Sequence, residues 1–301
     1  MLIFKLKDRF VKPMILITLL AGTLLLHAVV APNEASEVEI TPKVHIKGPK
    51  GSGGGKPLFR AATGVLGTMP PNKNRRWAVV IGISDYAGTI NDIDYADDDA
   101  LDVLRALMDF YGYRRENILL LISNFEVNNA TRKDIIEAID WLSGKVKEGD
   151  EVFFFYSGHG ARGKANDGDR EAIDEAIVPF ECTSESLIWD GELRSMFSKF
   201  KTNRIVFVFD SCYSGGMDDL KGDGRIVVMA CSETGLSYEG DEWQNGQFTW
   251  YFIDMGMIGS NADNYPSDGK VTVEESFDYA NANCVHQKPA ISDSFANDML
   301  P

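Results

Sequence analysis

Short, nearly unbroken apolar runs recur along the chain, and they constrain its fold more than any other feature. They are WAVVIGIS (Trp77–Ser84), ILLLIS (Ile118–Ser123), EVFFFYS (Glu151–Ser157), RIVFVFD (Arg204–Asp210) and RIVVMAC (Arg225–Cys231). Each is rich in Val, Ile or Phe and lacks the polar alternation of a strand with one wet face. Such a run predicts a strand covered on both sides. Between the runs lie stretches of helical spacing. Ala96–Tyr111 places Ala100, Val103, Leu104, Leu107 and Met108 on one face, and Thr131–Leu142 does the same with Ile135, Ile136, Ile139 and Leu142. Glu192–Phe200, Phe248–Met257 and Val273–Asn283 also predict helices, Ala176–Phe180 a short extended piece and Pro289–Ser292 an edge strand. Buried strands alternating with amphipathic helices imply an α/β fold, with a mostly parallel central sheet and helices on both faces.

The first residues follow a different logic. Lys5, Lys7, Arg9 and Lys12 precede an apolar run from Met14 to Ala31. A basic start before a run long enough to cross a bilayer predicts a signal peptide or membrane anchor over residues 1–31. The rest of the chain is then secreted or membrane-anchored outside the cytoplasm, and an uncleaved leader ties it to a membrane. Residues 32–72, with Gly51-Ser52-Gly53-Gly54-Gly55 and scattered Pro and Lys, read as a flexible linker. The folded domain is expected over residues 73–301. The net charge of −15 argues against nucleic acid as a partner, because binding it needs a basic face.

Two of the predicted strands end in reactive loops. One runs into Ser157-Gly158-His159-Gly160, the other into Asp210-Ser211-Cys212-Tyr213-Ser214-Gly215-Gly216. In open parallel sheets ligands bind beyond the carboxyl ends of the strands, which brings His159 and Cys212 to one edge. Elimination favours the same pair. Of four histidines, His27 lies in the leader, His45 in the linker and His286 at the end of a helix. Of four cysteines, Cys182, Cys231 and Cys284 lack a Gly-rich turn, and no pair has CxxC spacing. A thiol needs a base to become an efficient nucleophile, and an imidazole supplies one. The backbone N–H groups of Gly160 and Cys212 suit an oxyanion.

These residues resemble the caspase-like peptidases, and metacaspases most closely. The resemblance rests on AVVIGIS (Ala78–Ser84), YADDDA (Tyr95–Ala100), YSGHG (Tyr156–Gly160), DEAIVPFE (Asp174–Glu181), DGEL (Asp190–Leu193) and DSCYSGG (Asp210–Gly216). It covers about Arg75 to the C-terminus and implies a caspase–haemoglobinase fold. It also implies a cysteine endopeptidase that works through an acyl-enzyme on protein or peptide substrates, with no cofactor required for the chemistry. Caspases that cut after Asp carry Gln two residues before the nucleophile; here that position is Asp210. Metacaspases carry acids at the positions of Asp99 and Asp210 and prefer Arg or Lys before the scissile bond. The resemblance therefore implies an S1 pocket of Asp99, Asp210 and Ser157, although Ala96 stands where metacaspases often carry Cys. Asp99 also fits a solvated helix-start acid in the run Asp97-Asp98-Asp99. Calcium as an activator is a further implication, with Asp167, Asp169, Asp174 and Glu175 as candidate oxygen ligands. Thr272 and Glu275 read as a helix capping box rather than part of a calcium loop. Relatives often process themselves, which points to Lys221, Arg225, Arg60, Arg75 or Arg76 as cut sites. Two alternatives stay open: a legumain-like peptidase cutting after Asn or Asp, and a non-catalytic binding scaffold.

Overall fold

The computed structural model describes residues 38–47, 60–70, 72–88, 91–165, 167–168 and 171–301. The leader read over residues 1–31 lies outside them, as does the candidate ligand Asp169.

In chain order the strands of the central sheet are β3 (Arg76–Ile83), β4 (Ile118–Asn124), β5 (Val127–Asn128), β6 (Glu151–Ser157), β10 (Ile205–Asp210), β11 (Arg225–Met229) and β14 (Ala290–Asp293). They lie in the spatial order β14-β11-β10-β6-β3-β4-β5. The five inner strands run parallel, and β14 and β5 close the edges in antiparallel pairing. The apolar runs thus fall on strands, and the edge strand expected at Pro289–Ser292 begins at Ala290.

The near-absence of polar side chains in these strands has a direct cause: both faces are covered. On one face α2 (Arg132–Lys145) and α3 (Asp190–Phe197) pack Ile135, Ile139, Leu142, Leu193 and Phe197 against Phe154, Phe207 and Phe209. On the other, α1 (Ala96–Asp109) and α5 (Val273–Asn283) pack Val103, Leu107 and Phe277 against Phe153, Phe155, Val206 and Val208. Successive residues of β6 and β10 therefore feed opposite cores, as strand pleating requires. Thr272 and Glu275 form the expected capping box at the start of α5. The helix read over Phe248–Met257 is α4 (Gln247–Thr249), continued by a π-helix over Trp250–Ile258. Ser276 of α5 donates to the Phe252 carbonyl, and a competing donor of this kind loosens the regular ladder. The four cysteines are free.

Two smaller sheets sit at the carboxyl edge. One contains β1 (Glu39–Thr41), β7 (Gly160–Gly163), β8 (Asp174–Ile177) and β9 (Ile188–Trp189). The other contains β2 (Val44–Ile46), β12 (Tyr238–Gly240) and β13 (Asn245–Gly246). Strands β1 and β2 belong to the stretch read as linker. Residues 39–46 instead pair with the domain on both sides, β1 antiparallel to β7 and β2 parallel to β12. Composition did not betray this, because each strand is three residues long and takes its hydrogen-bond partners from distant chain.

Candidate active site

The parallel register of β6 and β10 sets Ser157 opposite Asp210. His159 and Cys212 each follow two residues later, so both loops leave the same sheet edge side by side. Their approach is close enough to demand glycine. A Cβ on Gly160 would lie 1.8 Å from the carbonyl oxygen of Cys212, and the Gly158 amide donates to the Asp210 carbonyl at 3.3 Å. Tyr213, directly after the nucleophile candidate, has a left-handed backbone with φ of 62°. Strain of this kind collects where a turn must present a side chain, and here the Tyr213 amide is tied to the Gly235 carbonyl at 2.9 Å.

His159 is buried and stacked on Tyr86, with ring centroids 3.9 Å apart. Its Nε2 lies 2.6 Å from the carbonyl oxygen of Asn91. A carbonyl only accepts, so Nε2 carries the proton and Nδ1 keeps its lone pair. That Nδ1 is buried without a hydrogen-bond partner among the described residues. Burial pushes the imidazole down to about 4, which keeps it neutral at physiological pH, with a lone pair on one ring nitrogen. The Tyr86 hydroxyl accepts from the His159 amide at 2.7 Å, and the Tyr156 hydroxyl donates to the His159 carbonyl at 2.7 Å. The loop is thus held from both sides.

The Cys212 thiol is 1% exposed. Burial raises it to about 12, against the opposing effect of the Ser237 amide, which points at Sγ from 3.3 Å. Sγ in turn lies 3.3 Å from the carbonyl oxygen of Pro42, in the segment joining β1 to β2.

Beside the thiol is an acidic pocket. Asp99 of α1 and Asp210 at the end of β10 are both fully buried, so Asp99 is not a solvated helix-start acid. Asp99 accepts from the Ser157 hydroxyl at 2.6 Å and the Gly246 amide at 2.8 Å. Asp210 accepts from the hydroxyls of Ser237 at 2.5 Å and Thr249 at 2.7 Å. Between them stands the ammonium of Lys43, 2.9 Å from Asp99, 3.2 Å from Asp210 and 2.7 Å from the Ser157 hydroxyl. Burial alone would lower the Lys43 pKa, but Asp210 and Asp99 outweigh it and hold the amine charged. Burial likewise raises Asp99, with Lys43 opposing. A lone buried charge is costly, and three charges sharing hydrogen bonds offset that cost.

A second acidic group is built from β8, which carries Asp174 and Glu175, and from the start of α3, which carries Asp190. Asp167, Asp174 and Asp190 bring carboxylate oxygens within 4.8 Å of one another, and so do Glu171, Glu175 and Asp190. The Asp190 oxygens and Glu175 Oε2 are buried without a hydrogen-bond partner among the described residues. Burial, with neighbouring acids, raises Glu175 to about 8 and moves Asp190 in the same direction. Glu175 also touches the loop that carries Cys212: a Cβ on Gly216 would fall 1.8 Å from Glu175 Oε2. The acids near Asn264 are otherwise engaged, with Glu275 capping α5 and Asp263 accepting from the amides of Asp268 and Gly269.

The structure therefore gathers Cys212, His159 and Gly160 at one edge, Asp99, Asp210 and Ser157 in one pocket, and Asp167, Asp174 and Glu175 in one cluster. Sequence reasoning missed Lys43, Asn91, Ser237, Thr249 and Asp190. Asp190 carried a signal in the DGEL stretch; the others lie in connections whose partners are distant in sequence. Among the predicted cut sites, Arg76 and Arg225 open strands of the central sheet, whereas Lys221 is exposed.

A family model described as "Metacaspase, peptidase C14 domain" matches residues 76–221. The chain is 33% identical over 153 residues to Metacaspase-1 of Schizosaccharomyces pombe, which takes in 49% of this chain and 36% of that protein. It is 30% identical over 189 residues to Metacaspase-1 of Kluyveromyces lactis, covering 58% of this chain and 43% of that protein. The match spans less than half the length of either relative. A solved protein from Geobacter sulfurreducens shares the fold, with a TM-score of 0.53 at 18% identity over 72% of this chain and 92% of its own.

The contact at Gly160 yields a test. Gly160→Ala must push the two loops apart, an overpacking that costs about 1–3 kcal/mol. Thermal unfolding of the variant is expected several degrees below wild type, and an unchanged midpoint would refute the close approach.

Proposed function

Because residues 76–221 make this chain a member of the metacaspase family of caspase-like cysteine peptidases, we propose that it is an endopeptidase cutting after Arg or Lys. Cys212 is the nucleophile. His159 Nδ1, without another partner among the described residues, takes the thiol proton, while the Nε2–H bond to the Asn91 carbonyl fixes the ring. The thiolate attacks the scissile carbonyl carbon, and the backbone N–H groups of Gly160 and Cys212 stabilise the oxyanion. The imidazolium then returns its proton to the leaving amine, and water hydrolyses the resulting thioester.

The observation that carries the basic preference is the Lys43 ammonium between Asp99 and Asp210. An Asn side chain there would leave two buried carboxylates without a cation, which disfavours the legumain-like alternative. A substrate Arg or Lys would replace Lys43 and take over its bonds.

The acidic cluster fits a hard divalent cation. Asp167, Asp174, Glu175 and Asp190 offer only oxygen, and the unpartnered buried carboxyl of Asp190 is the kind of group a cation satisfies. Calcium bound there would supply positive charge outside the reacting centre. Glu175, in contact with Gly216, links the cluster to the nucleophile loop. The leader supports export or anchoring, with the catalytic domain outside the cytoplasm; no helix among the described residues is long and apolar enough to cross a membrane.

Fluorogenic peptides differing only before the scissile bond test the specificity. Arg and Lys peptides are expected to be cleaved best, with no activity in Cys212→Ala. Asp210→Asn should lower kcat/KM for basic peptides roughly 10–100-fold, the worth of a charge-assisted hydrogen bond. Faster cleavage after Asn would overturn the assignment. Calorimetry tests the cation: calcium should bind the wild-type chain and bind Asp190→Asn at least about tenfold more weakly. Wild type giving no calcium heat would end that proposal. For location, protease added to intact cells should digest the catalytic domain unless it is already in the medium; full protection would contradict export.

A further inference from the structure

We propose that residues 38–47 form a built-in strap that fills the acidic pocket and is held uncut, so that the chain carries its own inhibitor. This presupposes the basic-pocket peptidase described above and adds its regulation.

The strap is seated along its whole length. At its start, Glu39 accepts from Arg162 at 2.8 Å and from the Tyr213 hydroxyl at 3.0 Å. The Thr41 hydroxyl is 2.9 Å from the same tyrosine. Thr41 pairs with Gly160, so the strap's backbone covers the glycine assigned to the oxyanion hole. In the middle, Lys43 fills the pocket and the Pro42 carbonyl covers the thiol. Towards its end, β2 pairs with β12, and His45 lies 3.0 Å from Asp94 and 3.3 Å from Asp241. A substrate cannot reach Cys212 until all of this is lifted.

The same geometry distinguishes the strap from a substrate. Cutting after Lys43 requires Sγ to meet the Lys43 carbonyl carbon. Sγ instead faces the carbonyl oxygen of Pro42, a residue with no cation to place in the pocket. The thiol acts there as a donor, the opposite of the thiolate needed for attack. The Val44 nitrogen, which would be the leaving group, donates to the Ser237 carbonyl at 2.9 Å. Lys43 is thus bound like a specificity residue while the sulfur is engaged by the carbonyl oxygen of the residue before it. The pocket's cation requirement is met from within, which also explains how two buried carboxylates persist in the resting fold.

The test uses the full chain and two readouts. Alkylation of Cys212 by iodoacetamide, followed by mass spectrometry, reports whether the sulfur is covered, independently of catalysis. Lys43→Ala should be alkylated at least tenfold faster than wild type, and Lys43→Arg should stay slow. Glu39→Arg, which opposes Arg162 at a half-exposed site, should speed alkylation severalfold and serves if Lys43→Ala folds poorly. Hydrolysis of an Arg peptide should rise in parallel. Wild-type alkylation rates in both Lys43→Ala and Glu39→Arg would overturn the strap. Cleavage between Lys43 and Val44 in wild type, absent in Cys212→Ala, would make the segment a substrate and overturn the inhibitor. Faster alkylation without any peptide hydrolysis would leave the strap standing and remove the peptidase function instead.

Discussion

Two carboxylates sealed from water cannot both stay ionised unless a cation joins them, and much of this molecule is arranged around that constraint. Asp99 and Asp210 come from different elements, yet share one ammonium and a set of hydroxyl and amide donors. The donors explain why Ser157, Ser237, Thr249 and Gly246 converge there. They hold the charges in place, and the cation lowers the cost of burying them. On the function proposed above, such a pocket favours a cationic occupant, because a neutral or acidic one leaves two buried carboxylates without a counter-charge.

The proposed reacting pair, Cys212 and His159, depends on a constraint of space. Parallel pairing of β6 with β10 delivers both loops to one edge, and the absence of a side chain at Gly160 lets them touch. His159 is desolvated, stacked on Tyr86 and fixed through Asn91. Its neutrality follows from burial, and its tautomer follows from a carbonyl that can only accept. The acidic cluster reaches this centre through packing, since Glu175 rests on Gly216 of the Cys212 loop.

The strap ties these parts together. It spans the oxyanion edge, the thiol and the pocket, and it is latched at both ends by charged side chains. Its hold on the domain combines one buried ion-pair group and two short strands with the packing of Val38 and Ile40 against the core. The charged part of that hold responds to competing charge more readily than a hydrophobic seam does.

Hydrophobic patterning alone determined the five inner strands of the central sheet, because a strand buried on both faces must be apolar throughout; the exposed edge strand Val127–Asn128 carried no such signal. Glu151–Ser157 and Val273–Asn283 are read from the sequence at their observed bounds, and both reactive loops follow from where the apolar runs stop. Local chemistry sufficed there: strand burial, helix spacing and a capping box are short-range signals. Tertiary structure alone decided the rest. Residues 39–46 look like linker because three-residue strands carry no periodicity, and only their distant partners make them strands. Asn91 orients the imidazole through a backbone carbonyl, a group every residue type possesses, so no side-chain pattern announces it. Lys43 was one lysine among several until the fold set it between two buried acids, since a charge's role depends on what surrounds it in space.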